Sequence, residues 1–308
     1  MCKSHRELQA FIDEVRPITR SGKVAEYIPA LKMANADDLS IAVLDLSGNC
    51  YYAGHYNQTF TLQSISKILT LAYCLCDLGY KEVFKKVGME PTGDPFNSIV
   101  KLELLETKKP LNPMINAGAL AVTSLLVGDN KERKWERFLH FMKRMTNNEE
   151  LTYNEEVARS EYETAYLNRA FCYFLKEHQL FDGNVEELLE LYTRQCAIEV
   201  NCLDLARIGA IFANDGIDPM NHKSIIPIDI ARICKTFMVT CGMYNASGEF
   251  AIKVGIPAKS GVSGGILGVV PKRYGIGVYG PSLDEKGNSL GGWKLLELMN
   301  KKYDLSIF

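Results

Sequence analysis

The sequence is short of several things that would each announce a function class. It has no long apolar run, so no helix long enough to cross a bilayer is expected. It has no Cys-x-x-Cys pair, and its five histidines lie far apart, so structural zinc is not expected. Charge of neither sign dominates: the formal net charge is −2 and the pI about 6.3, which argues against a nucleic-acid or anionic-membrane partner. No repeat, low-complexity tract or Pro/Gly/Ser-rich linker divides the chain. The opening residues, MCKSHRELQAFIDEVRP, carry charge throughout and lack the apolar segment of a signal peptide, so an amphipathic helix and a cytoplasmic location are expected. Nine cysteines are irregularly spaced and odd in number, and free thiols in a reducing compartment are the simpler reading.

What is present is a 308-residue globular composition, 47% hydrophobic and 23% charged. The pattern divides it. Residues 40–54, SIAVLDLSGNCYYAG, read as a strand, a Ser-Gly-Asn turn and a second strand. Residues 251–281 are Gly-studded and β-branched, with at least three strand-length segments, the first of them AIKVGIP. The tail after Ser289 returns to a helical period. Between these ends, residues 115–127, 132–145, 155–178, 185–195 and 202–215 carry i, i+3/i+4 apolar spacing. The fold class expected is α+β: one antiparallel sheet made from both chain ends (1–66 and 225–308), flanked by the terminal helices, with an inserted helical lobe (67–224). A cleft between the lobes is the natural site.

One short stretch carries chemistry. FTLQSISKILTLAYCL (60–75) places Ser64 and Lys67 at the head of an apolar helix that runs to about Gly79. Positions i and i+3 share a helix face, so Lys67 reaches back over Ser64 while Ser66 points elsewhere. A nucleophile there has a base one turn away and free backbone N–H donors at the helix start. Ser-x-x-Lys alone is weak, since about one is expected by chance in a chain of this length. A second copy, Ser98–Lys101, lies in a turn-rich segment and reads as structural. The residues around Ser64 also suit plain N-capping, and the motif alone leaves both readings open.

Lys259-Ser260-Gly261, ahead of the Gly-rich VSGGILGVV, supplies a second element. Ser-x-x-Lys on an early helix with Lys-Ser/Thr-Gly on a late strand is the pattern of penicillin-recognising serine enzymes. A cation at Lys259 would lower the pKa of Lys67 and leave some neutral amine to act as base. No Ser-Asp-Asn lies between the two lysine motifs, which speaks against a penicillin substrate.

Longer blocks narrow the resemblance. GKVAEYIPAL (22–31), FTLQSISK (60–67), EPTGDPFNS (90–98), NPMINAGAL (112–120), SEYETAYLNRA (160–170), LYTRQCAIEV (191–200), GMYNASGEF (242–250) and GIPAKSGVSGGI (255–266) follow one another as they do in the serine-dependent glutaminases. The chain resembles that family, which shares the β-lactamase-like fold. The resemblance implies hydrolysis of L-glutamine to glutamate and ammonia, with Ser64 as nucleophile, Lys67 as base and the backbone N–H groups of Ser64 and Val262 as the oxyanion hole. It implies further substrate contacts at Tyr27, Asn116, Glu161, Asn168, Tyr192 and Tyr244, with Glu161 facing the α-ammonium and Tyr192 or Tyr244 relaying protons. Gln63, Lys259, Ser260 and Gly261 are expected to support them. No cofactor or metal is implied, with phosphate activation known in part of the family, and a homodimer or homotetramer is expected. The competing expectations are a related serine hydrolase acting on another amide or ester, and a silent binding protein on the same fold.

Overall fold

The computed structural model describes residues 4–26, 28–93, 98 and 108–308. Tyr27 and Lys101 lie outside the described residues, as do most of 94–107. Ser98 is described, half-buried and in neither helix nor strand.

The two β-rich ends form one antiparallel sheet. The N-terminal strands are β1 (Ser40–Asp45) and β2 (Cys50–Ala53), and β3 (Phe60–Thr61) pairs separately with β4 (Glu199–Val200). The late strands are β5 (Ala258–Ser260), β6 (Gly265–Val270) and β7 (Tyr274–Tyr279). The order β2-β1-β7-β6-β5 inserts the last strand beside the first, with Ile41 opposite Val278. The β1–β2 turn closes as the sequence requires. Asp45 Oδ1 accepts the N–H groups of Ser47 and Asn49, and Gly48 takes a φ of +86° that favours glycine.

Strands β1, β6 and β7 are buried on both faces, and the alternation of side chains shows what covers each. Ile41, Val43, Ile266, Ile276 and Val278 pack with Leu8, Ile12 and Val15 of α1 (His5–Val15). Leu295, Leu296 and Met299 of the C-terminal helix (Leu290–Tyr303) complete that layer. Ala42, Leu44, Leu267 and Val269 face the helical side. There Gly275 and Gly277 leave room for helix Cys202–Ala213 to lie directly on the sheet. A Cβ on Gly275 would stand 2.0 Å from Ala210 N, and one on Gly277 2.2 Å from Cys202 O. The glycines of the β-rich tail are therefore a helix-docking surface.

The remaining described helices are α2 (Ser66–Lys86), α3 (Asn116–Thr123), α4 (Lys131–Thr146), α5 (Glu155–Thr164), α6 (Tyr166–Glu177) and α7 (Val185–Cys196). After these come α8 (Cys202–Ala213), α9 (Ile228–Cys241), α10 (Ser247–Lys253) and α11 (Leu290–Tyr303). The α+β class holds. Three local expectations are corrected. The run after Ser64 does not stop at Gly79 but kinks there and continues to Lys86. The stretch 155–178 is two helices broken at Ala165, whose φ/ψ of −78°/37° is not helical. AIKVGIP is not a strand: its first three residues finish α10, and pairing starts at Ala258. Ile and Val are compatible with a helix that packs well, which is why β-branched composition misled there. Among the described residues no helix is long and apolar enough to cross a membrane.

Candidate active site

Ser64 lies in a single 3-10 turn, Gln63–Ile65, between β3 and α2. Gln63 adopts a φ of +47°, a left-handed conformation uncommon for a residue with a side chain. It is buried, with Nε2 donating to Thr61 Oγ1 at 3.3 Å. Ser64 does not cap the helix. The N-cap of α2 is Ile65 and it has no side-chain cap bond, so the capping alternative is not the one the fold adopts. Instead Ser64 lines a cavity of about 340 Å³, together with Gln63, Asn116, Glu161, Asn168, Tyr192 and Cys196.

Lys67 stands behind that wall, 2% exposed. Its Nζ donates to Asn116 Oδ1 at 2.6 Å and to Met114 O at 3.2 Å. Asn116 opens α3 without capping it and passes the link on, donating through Nδ2 to Asn168 Oδ1 at 3.2 Å. Burial lowers the Lys67 pKa to about 8, opposed by the nearby Cys196 and Glu161. The sequence argument assigned that lowering to Lys259, and the structure corrects it. Lys259 is completely buried and is itself held well below the usual lysine range, first by burial and then by Lys67. Desolvation is the largest influence on Lys67, and Lys259 is not among the groups that move it. Lys259 Nζ donates to Ser260 O at 2.7 Å and lies 4.7 Å from the centre of the Tyr244 ring.

Tyr244 is the second backbone outlier, with a φ of +52° at the start of a 3-10 turn. Its hydroxyl is influenced by the Ser64 side chain and the Val262 backbone N–H, which partly offset the strong upward push of burial on the phenol pKa. Val262 follows Gly261 in the turn between β5 and β6. A Cβ at position 261 would stand 2.5 Å from Leu62 O, so only glycine lets this turn close on the one bearing Ser64. Ser263 Oγ ties the same pair of turns, donating to Thr61 O at 2.6 Å.

Glu161 faces the cavity from α5. Burial of its carboxyl raises the pKa to about 7, against Lys67, Cys196 and Gln63, which favour the charged form. Its Oε2 is buried and has no hydrogen-bond partner among the described residues. A cation placed in the cavity would meet an acceptor oxygen with room for a donor. The break at Ala165 sets Thr164, Leu167 and Asn168 along the same wall.

The structure thus brings Gln63, Ser64, Asn116, Glu161, Asn168 and Tyr192 onto one cavity, with Lys67, Tyr244 and Val262 directly behind and Lys259, Ser260 and Gly261 in support. The sequence reading missed Cys196, a turn after Tyr192 on α7, with Sγ 3.9 Å from Ser66 Oγ. Its i+4 spacing from Tyr192 was the available signal. It also missed Met114, which contributes a main-chain carbonyl that no residue type advertises. Among the described residues no cluster of His, Cys, Asp and Glu could hold a metal ion.

Comparison with known proteins identifies the family. The sequence model of the family described as Glutaminase matches residues 22–308. A glutaminase of Geobacillus thermodenitrificans (strain NG80-2) is 63% identical over 302 residues, covering 98% of each chain. One of Shouchella clausii (strain KSM-K16) is 60% identical over 308 residues, covering 100% of each. The structure also superposes, with a TM-score of 0.90 at 43% identity, on the covalent complex between a Bacillus subtilis glutaminase and 5-oxo-L-norleucine, formed by reaction with 6-diazo-5-oxo-L-norleucine. That match covers 98% of this chain and 99% of the other.

The raised pKa of Glu161 has a consequence for stability. The folded state holds its proton to about pH 7, whereas the unfolded chain releases it near 4.5. Stability from this group is present below pH 4.5 and is lost as pH rises through 7. Glu161→Gln is therefore expected to stabilise the unliganded protein by about 1–3 kcal/mol at pH 8 and by little at pH 5. Chemical denaturation at the two pH values measures this, and an equal effect at both would contradict the assignment.

Proposed function

The chain belongs to the glutaminase family and hydrolyses L-glutamine to L-glutamate and ammonia, and on that premise we propose that it does so through a glutamyl ester on Ser64. The observation that carries this reading is a cavity-lining serine, free of any capping role, one turn from a buried lysine whose pKa is lowered to about 8. About one Lys67 in ten is then neutral at pH 7, enough for a base that is regenerated each turn.

In the proposed sequence Lys67 takes the Ser64 proton as Oγ attacks the carboxamide carbon. The developing oxyanion is met by the backbone N–H groups of Ser64 and Val262, which the Gly261 contact holds together. The proton passes to the departing nitrogen, the C–N bond breaks, and ammonia leaves. Water then adds to the ester, and glutamate departs as Ser64 recovers its proton. Tyr244 is the better relay of the two tyrosines, because its hydroxyl is beside Ser64 and burial keeps it protonated. The α-ammonium of the substrate pairs with Glu161, whose orphan Oε2 awaits a donor, while Asn168 and Tyr192 face the α-carboxylate. The chemistry uses no cofactor. The covalent complex of the B. subtilis relative supports a nucleophile at this site, since 5-oxo-L-norleucine has the glutamine skeleton with a ketone in place of the amide.

We also place the protein among cytoplasmic homo-oligomers, dimers or tetramers. The eight described cysteines are all free, as a reducing compartment allows, and α6 exposes Tyr166 (77%) and Tyr173 (60%), two turns apart on one face. Light scattering should give two or four chains per particle, and a monomer would overturn this.

Ser64→Ala should lower ammonia release from L-glutamine by about 10³-fold or more while leaving the thermal transition near that of the wild type. A variant that retained turnover would remove Ser64 from the mechanism. Glu161 must be ionised to bind the ammonium and Lys67 neutral to accept a proton, so both titrations act in one direction. kcat/KM should rise with pH through about 7 to 8. A profile that falls across that range would contradict both roles.

A further inference from the structure

A second cavity shares Tyr244 with the surroundings of Ser64 and plays no part in the mechanism above. It has a volume of about 30 Å³ and is bounded by Asn112, Met114, Ile115, Thr240, Tyr244 and Asn245. Its inner wall is the wall that holds the catalytic base: Met114 O accepts Lys67 Nζ, and the Tyr244 hydroxyl is beside Ser64. Its outer end is formed by Thr240 and Asn245, both exposed to solvent. Between them the wall is tied by hydrogen bonds. Asn112 Oδ1 accepts the N–H groups of Met114 and Ile115 at 2.9 and 3.2 Å, and Thr240 Oγ1 is turned onto Thr236 O at 3.1 Å. The volume suits one or two water molecules and nothing larger.

Two-step hydrolysis creates a need for such a site. While the glutamyl group is esterified to Ser64, its backbone end still stands in the 340 Å³ cavity, on the substrate's route, and water held on the far side of Tyr244 need not pass it. Resting on the Ser64 reading, we propose that the cavity behind Tyr244 holds the hydrolytic water and refills it from the surface at Thr240. The water oxygen adds to the ester carbonyl as its proton passes to Lys67. The bond from carbon to Ser64 Oγ then breaks, and Lys67 returns the proton to Oγ. Atoms and charge balance with water as the only co-reactant.

The test is to close the outer end with Thr240→Trp and, independently, with Asn245→Phe, both at exposed positions that the mechanism does not use. Rapid acid quench follows ammonia and glutamate, and mass spectrometry of the intact protein follows the ester. Both variants should release the first equivalent of ammonia at the wild-type rate, turn over about tenfold more slowly thereafter, and accumulate glutamyl ester on Ser64. Unchanged turnover in both variants would overturn the proposal. So would ammonia and glutamate slowing together with no ester, which is the signature of a merely distorted site. If Ser64→Ala retained turnover and no ester formed in any variant, the nucleophile reading itself would fall, and this site with it.

Discussion

The site depends on keeping an amine in a dry place, held by neutral acceptors. Lys67 sits under α3 with an amide oxygen and a main-chain carbonyl as its acceptors, 2.6 and 3.2 Å away. Neutral acceptors steady the amine in either protonation state, whereas a carboxylate at that distance would fix the positive charge and remove the base. Glu161 is near enough to raise the Lys67 pKa but remains a secondary influence on it. Desolvation acts on both groups, pushing the acid up toward 7 and the base down toward 8. Two groups that would be fully charged at neutral pH in water each have their pKa brought toward it.

This arrangement places demands on the backbone. Gln63 and Tyr244 both take left-handed φ values, on the turns that carry Ser64 and face it. Such strain persists only where the surroundings over-determine it. Here they do so through Ser263 Oγ on Thr61 O, Gly261 against Leu62 O, and the buried Lys259 over the Tyr244 ring. Lys259 is therefore a buried amine held well below the usual lysine range, packed over the Tyr244 ring and bonded to its own strand at Ser260 O.

How much of this was legible varied with the physical signal. The hairpin, the late strands and the C-terminal helix were readable because period and turn chemistry agree there. Ser64 and Lys67 were readable because helix spacing makes them neighbours, and the long blocks around Asn116, Glu161, Asn168, Tyr192 and Tyr244 marked a family. The break at Ala165 was not readable: no Gly or Pro marks it, and the apolar period runs through it. Nothing about Gln63 signals a positive φ, since that conformation is imposed by tertiary contacts. The burial of Lys259 escaped as well, because a sequence shows a cation and not the desolvation that the fold imposes on it. Cys196 was read as one buried thiol among nine, and only the packing of α7 against the cavity distinguishes it.

The sheet order has a consequence for how the molecule comes into being. The proposed nucleophile belongs to residues 60–67, while the turn that would complete its oxyanion hole comes from 259–262, on strands that must slide in beside β1 and close the sheet. These are contacts of very long sequence separation, the slowest class to form. A chain emerging from the ribosome carries Ser64 and Lys67 for most of its synthesis with no means of using them. Catalytic competence is thereby tied to completion of the polypeptide, and no partly made chain can turn over substrate.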